Sequence, residues 1–216
     1  MAFDINALAT AVRAGSTREV LLAAQSLIAI LREDPDLVAL TAHPVGFAHA
    51  KLAETDRSAI RLHLWPIPPI ATQDPPWLVH RHAWPLTSYV VHGAVINQTY
   101  RVTRDKHGSN RLYSVGYDRD VSVMTATDVR VSYELEEEQT VTAGERYLVD
   151  PNVFHSTLAA FSEPTATIAV TGAPHGGAPS VIGAATGDSE YQFKRRDLST
   201  EQGRTILNSL PREPQP

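Results

Sequence analysis

The sequence predicts a mainly β fold of the sandwich, jelly-roll or small-barrel kind, with helices towards both ends. Three observations carry this. From about residue 44 to residue 174, short β-branched and aromatic segments recur between turn signals. Helical patterns are too few among them for βαβ units. Helical periodicity is confined to residues 1 to about 42 and to a stretch beginning near Ser199. At 216 residues, the chain suits one sizeable domain with a helical appendage.

Taken in order, "STREV" offers a capping box, Ser16 with Glu19 three residues later. Val20, Ala24, Leu27, Ile28 and Leu31 follow at helical spacing, and Leu21, Leu22 and Ile30 widen that stripe. So broad an apolar face predicts a helix packed against the main body. "EDPDLVAL" reads as a second helix start, with Asp34 as N-cap and Pro35 at the first helical position. In "AIRLHLW", Arg61, His63 and Trp65 alternate with Ile60, Leu62 and Leu64, as on the two faces of a strand. "TSYVVHGAVINQTYRV" reads as two strands hinged at Gly93. "KHGSN" is a hairpin turn, followed by the strand "RLYSVGY". "VRVSYEL" and "TATIAVTG" are further strands. The acidic run "ELEEEQ" from Glu134 reads as a solvated turn, and "HGGAPSVIGAATGDS" as loop. "STEQGRTILNSL" is a short closing helix, and the last six residues are expected to fray. The expected organisation is a helical segment over 1–42, a barrel over 43–180, and a C-terminal loop and short helix over 181–216.

Composition narrows the partners. There is no cysteine, so any metal must be held by His, Asp or Glu. The net charge is −5, the pI is near 6.0, and no basic block appears. These features argue against nucleic acid and anionic membranes as partners. The N-terminus lacks the basic region of a signal peptide, and "VLLAAQSLIAIL" is too short to span a bilayer. A cytoplasmic protein acting on a small molecule is expected, with a homodimer allowed.

The chemistry lies in the histidines. In "WLVHRHAWPLTSYVVHG", His80 and His82 sit two apart, so a strand would point both to one face and let them share a metal ion. The same pattern, taken alone, also reads as the polar face of a sheet. "GERYLVDPNVFH" places His155 after a turn-rich step, at the start of another strand. Together the two stretches resemble the cupin motifs G-x5-H-x-H-x3/4-E-x6-G and G-x5-P-x-G-x2-H-x3-N. His80, His82 and Gly93 match the first; Gly144 and His155 match the second. Asp150 stands for the proline of the second motif, Asn152 for its inner glycine and Ala159 for its final asparagine. Asn tolerates the left-handed backbone that glycine supplies. In the first motif Asp74 stands for the opening glycine, and the glutamate slot falls on Leu86 or Thr87, with Ser88 nearby.

The resemblance covers roughly residues 60–174 and implies a cupin-type double-stranded β-helix, or jelly-roll barrel. It further implies three metal ligands, His80, His82 and His155, with no acidic fourth. That set is similar to cysteine and other thiol dioxygenases, and it implies Fe(II) first, with Ni, Cu, Mn or Zn as substitutes. The relay Ser-His-Tyr of those enzymes has no counterpart in "TATIAVTG", so a thiol substrate does not follow. The expected function is a metal-dependent oxygenase using O2 on a small, anionic metabolite. An isomerase or epimerase, or a non-catalytic small-molecule-binding cupin, is the alternative.

Arg61 and His63 are candidates for the remote end of the substrate, Arg61 through its fork of donors. An outward salt bridge is the other reading of Arg61. Of Tyr100 and Arg101, one should face the interior, and Tyr100 is taken as the catalytic candidate. His92 reads as a solvated histidine at a hairpin edge. His43, His49, His107 and His175 fall in loop or boundary contexts and receive no role.

Overall fold

The computed structural model describes residues 4–55, 57–70, 73–160, 163–175 and 177–212. The fraying expected of the last six residues therefore lies largely outside the described residues. Helix α1, Ile5–Ala14, starts where the Asp4 carboxylate accepts the Asn6 and Ala7 N–H groups. It ends at Gly15, whose φ of 67° closes the last turn. Helix α2, Thr17–Glu33, follows at once. The capping box expected at Ser16 is not formed; its side chain makes no capping hydrogen bond. Ser16 serves instead as the joint between two helices, its N–H closing α1 on the Ala11 carbonyl at 3.1 Å. The helix expected after Asp34 is a single 3-10 turn, Pro35–Leu37, because Val38 is already extended and leads into a sheet.

The strands are β1 (Thr41–Ala42), β2 (Ala48–Glu54), β3 (Ala59–Trp65), β4 (His80–Arg81), β5 (Leu86–His92), β6 (Ala94–Arg104) and β7 (Asn110–Asp118). After them come β8 (Val121–Thr142), β9 (Arg146–Val149), β10 (Phe154–Ala159), β11 (Thr165–Thr171), β12 (Ser180–Ala184) and β13 (Glu190–Lys194). Helix α3, Thr200–Ser209, closes the chain with a capping box between Ser199 and Gln202.

The strands form two antiparallel sheets. Sheet one runs β1-β2-β3-β11-β5-β9; sheet two runs β13-β8-β6-β10-β4-β12-β7. The pairing is nested: β4 with β12, β5 with β11 and β6 with β10. From β3 to β6 and again from β8 to β12 successive strands alternate between the sheets, and outer strands pair with outer strands. This is a jelly-roll double-stranded β-helix, as the sequence predicts.

The two faces of sheet one have different neighbours. Ile60, Leu62 and Leu64 of β3, with Ile168 and Tyr89, pack beneath Leu8, Leu27 and Leu31 of the N-terminal helices and Leu207 of α3. The opposite face looks toward sheet two: Val90 and Ala169 meet Val95 and Val141 there. Arg61 is registered with Ala169, so Arg61 and His63 face the interior between the sheets.

Two segments differ from expectation. "ELEEEQ" is not a turn but the middle of β8, with Glu134, Glu137 and Glu138 opposite Arg101, Thr99 and Gln98. Its carboxylates are exposed, so acidic composition reflects a solvated strand face. "HGGAPSVIGAATGDS" contains β12, inserted between β4 and β7. A Cβ at Gly183 would meet the Trp77 ring, which explains the glycine in that strand. Sheet two then continues through β13, beyond residue 180.

Candidate metal centre

His80 lies in β4, directly opposite His155 of β10. Opposed residues of an antiparallel pair project to one face, so both rings point the same way. His82, two residues on, joins them. The ligand atoms of His80, His82 and His155 all lie within 4.8 Å of one another. Ring centroids are 4.5 Å apart for His80 and His155, 4.8 Å for His80 and His82, and 5.0 Å for His82 and His155.

The backbone around them explains their placement. Asn152 has φ 68°, the left-handed conformation its glycine-like slot requires. That turn brings the Asn152 N–H to the His82 carbonyl at 2.9 Å, tying the second histidine to the approach of the third. At the other end Gly93 has φ 70°, and a Cβ there would meet the Thr165 hydroxyl.

Hydrogen bonds set the free lone pairs. His80 Nδ1 is 2.7 Å from the Leu78 carbonyl, which can only accept, so Nδ1 carries the proton and Nε2 is left as a ligand. His155 Nδ1 lies 3.4 Å from Asn97 Oδ1, while its Nε2 is buried with no partner at all. A buried, unpartnered imidazole nitrogen aimed at two others needs a satisfying group. Outer partners of this kind orient metal-bound histidines. His82 stacks against Trp84, centroids 5.5 Å apart.

Burial holds the three rings neutral. It is the largest cause of the fall in pKa for each, taking His82 to about 3 and His155 well below the usual imidazole range. The mutual repulsion of the rings adds to it for His82 and His155, and His80 is lowered despite its bond to Leu78. Neutral imidazoles are the form that binds a metal ion. These residues fit a metal ion with three nitrogen ligands. Among the described residues no carboxylate joins the group. Leu86, in the glutamate slot, is buried in the apolar cluster between the sheets.

The other sequence candidates divide. Arg61 and His63 face the interior with the three histidines. The Arg61 Nη1 donates to the Thr171 hydroxyl at 3.4 Å, and its Nη2 is 3.9 Å from Glu54. The charge of Arg61 acts on His82, and His82 in turn acts on His63. Tyr100 is on the other side of sheet two: it packs with Phe154 and Ile182, and its hydroxyl bonds Gln98 and Ser156 at 2.8 and 3.1 Å. Phe154 and His155 are adjacent in β10 and face opposite ways, so Tyr100 cannot reach the centre. Arg101 shares the parity of Thr99, opposite His155, but it is exposed and pairs with Glu134 and Glu136. The register shift at Thr99/Tyr100 is between β6 and β8, where Glu136 is the extra residue; against β10, strand β6 stays regular. His92 is 3% exposed rather than solvated, and it is registered with Ala166 on the helix side of sheet one.

Sequence reasoning passed over His43 and His49. His49 is registered opposite His63, and His43 stacks on Phe47 with centroids 4.1 Å apart. Phe47 in turn touches His63 and Trp65. A second group of three imidazoles thus shares the interior with the first. The one available signal was alternation: His49 sits between the small, buried Ala48 and Ala50. A groove of about 190 Å³ lined by Trp65, Ile67 and Leu158 does not include the three-histidine centre.

No protein-family model matches the chain, and no curated protein matches it. Solved structures do. A cupin-superfamily protein from Desulfitobacterium hafniense is 10% identical, with 61% of this chain and 82% of that chain covered and a TM-score of 0.33. An RmlC-like cupin from Shewanella frigidimarina is 14% identical, with 64% and 86% covered and a TM-score of 0.36. The polyketide cyclase RemF from Streptomyces resistomycificus is 12% identical, with 73% and 84% covered and a TM-score of 0.37. No chemistry follows from likeness at this level. The nested strand pairing makes the chain a double-stranded β-helix with helices at its N- and C-terminal ends, and its neighbours among solved structures include cupins.

Proposed function

We propose that the chain is a metal-dependent oxygenase acting on a small, anionic metabolite, with Fe(II) held by His80, His82 and His155. One observation carries the reading: three neutral imidazoles converge within 4.8 Å, one of them with a buried Nε2 that has no other partner. Bound there, Fe(II) would supply redox chemistry toward dioxygen; Ni, Cu, Mn or Zn would fit the same donors. Three neutral ligands add no negative charge, so the centre favours an anionic or chelating substrate. The chain's own contribution is positioning. Asn97 and the Leu78 carbonyl fix the ring orientations, the sheet interior limits water, and Arg61 and His63 face the space beside His82.

The test has two parts. Purified protein should carry one equivalent of a first-row transition metal, and His82→Ala or His155→Ala should lose it while staying folded. Oxygen uptake should then appear with iron-loaded protein and a panel of small carboxylates. Wild-type metal content in both variants would remove the site assignment.

A second reading, an isomerase, has one observation in its favour. His49 and His63 are neutral imidazoles beside the centre, each lowered chiefly by burial, and a neutral imidazole can take a proton from a substrate. Turnover that continues without oxygen would select it.

A further inference from the structure

Arg195 lies where the two sheets meet. Strand β13 belongs to sheet two and ends at Lys194. The next residues cross to sheet one: the Ala42 N–H donates to the Arg196 carbonyl at 2.9 Å, and Thr41 bridges Asp197. This antiparallel register sets Arg195 across from His43. The guanidinium is held in place from sheet two. Its Nε donates to the Ser122 hydroxyl at 3.0 Å, and it lies 4.7 Å over the Tyr117 ring. Opposite, on the interior face of sheet one, stand His49 and Arg61.

The charges there do not balance. Lys51 and Arg61 share one carboxylate, Glu54, at 2.6 and 3.9 Å. Among the described residues, no carboxylate lies within 4.0 Å of Arg195. His49 Nδ1 is buried and has no hydrogen-bond partner. The structure therefore brings together two oriented guanidiniums and an unpartnered imidazole, with a single, half-exposed counter-ion, in a protein of net charge −5. After burial, both Arg61 and Arg195 lower the pKa of His49, and Arg195 also lowers that of His43.

We propose that Arg195, Arg61 and His49 form a subsite for a small oxyanion group, a carboxylate, phosphate or sulfonate, at the junction of the two sheets. Resting on the reading above, this subsite takes the end of the substrate remote from the three histidines. The substrate class is then a compact molecule with two anionic or chelating ends, one for the centre and one for the arginines. Arginine forks match such oxyanions geometrically. The C-terminal strap from 195 to 197 thereby contributes to recognition, although it is far in sequence from both histidine motifs.

The test is calorimetric titration of the full-length protein at fixed ionic strength with malonate, with sulfate, and with malonamide as a neutral isostere. Malonate and sulfate should bind, and malonamide should not. Arg195→Gln should weaken malonate binding about tenfold or more, and Arg195→Lys less. The His82→Ala protein should bind sulfate, which has one anionic end and does not bridge to the centre, within about threefold of wild type. Malonamide binding as tightly as malonate overturns the proposal. So does unchanged malonate binding in Arg195→Gln, or lost sulfate binding in His82→Ala. If Arg195→Gln does not fold, ring resonances of His49 in the wild type must shift on malonate addition; unshifted resonances also overturn it. Absent metal with intact malonate binding defeats the oxygenase reading and leaves this subsite standing.

Discussion

Acid should weaken this protein through its interior histidines, and His49 gives the measurable part. Folding lowers His49 from 6.5 to about 4, chiefly by burial and then by Arg61, Arg195 and Lys51. The unfolded chain therefore binds the proton more tightly than the folded one. The stability contributed by keeping His49 neutral is complete above 6.5 and is lost as pH falls toward 4. Integrated from about pH 7 to about pH 5, one such group removes about 2 kcal/mol. Domains of this kind have a total stability of about 5–15 kcal/mol, so the loss is large. His43 and His63 shift in the same direction, again chiefly by burial, and steepen the fall. The assay is urea unfolding of chelator-treated protein at both pH values, in wild type and in His49→Gln. Glutamine is polar, of similar reach, and does not titrate. The wild type should lose about 2 kcal/mol more than the variant across the window. Equal losses would show that His49 is solvated in the folded state and would refute the argument.

Three further outcomes are expected. Leu27 is fully buried under the helix–sheet interface, so Leu27→Ala should cost about 2–5 kcal/mol in urea unfolding. At Asn152, with φ 68°, Gly should be tolerated, whereas Ala should lose about 1 kcal/mol and disturb metal retention through His82. Arg61→Ala should raise KM more than it lowers kcat in steady-state kinetics, as loss of uniform binding does; unchanged kinetics would place Arg61 outside substrate contact.

Much of the barrel was legible because strand faces have period two. "AIRLHLW" became β3 with the predicted alternation, and Gly93 became the hinge between β5 and β6. Other elements were hidden for physical reasons. β12 carries Gly183 where a Cβ would meet Trp77, and that glycine, with the glycines and prolines flanking the strand, makes the stretch imitate a loop. The acidic run of β8 imitates a turn because both its face and its edge are solvated, while its strand character comes from pairing with β6. Which of Tyr100 and Arg101 turns toward His155 was not legible, because the face of β6 is set by its pairing with β10, where Tyr100 lies opposite Phe154.

By itself the sequence determined the residue types, their local spacing and the backbone they need. His80 and His82 two apart, His155 after a left-handed Asn152, and the absence of cysteine bound the chemistry to imidazoles. Only the tertiary structure decided which groups meet. His155 stands beside His80 because β10 pairs with β4 across 75 residues of chain. His49 meets His63, and Arg195 reaches the same interior, through pairings that no local pattern encodes. The reason is that side-chain direction is a local property of the strand, whereas proximity is set by which distant strands bury each other's faces.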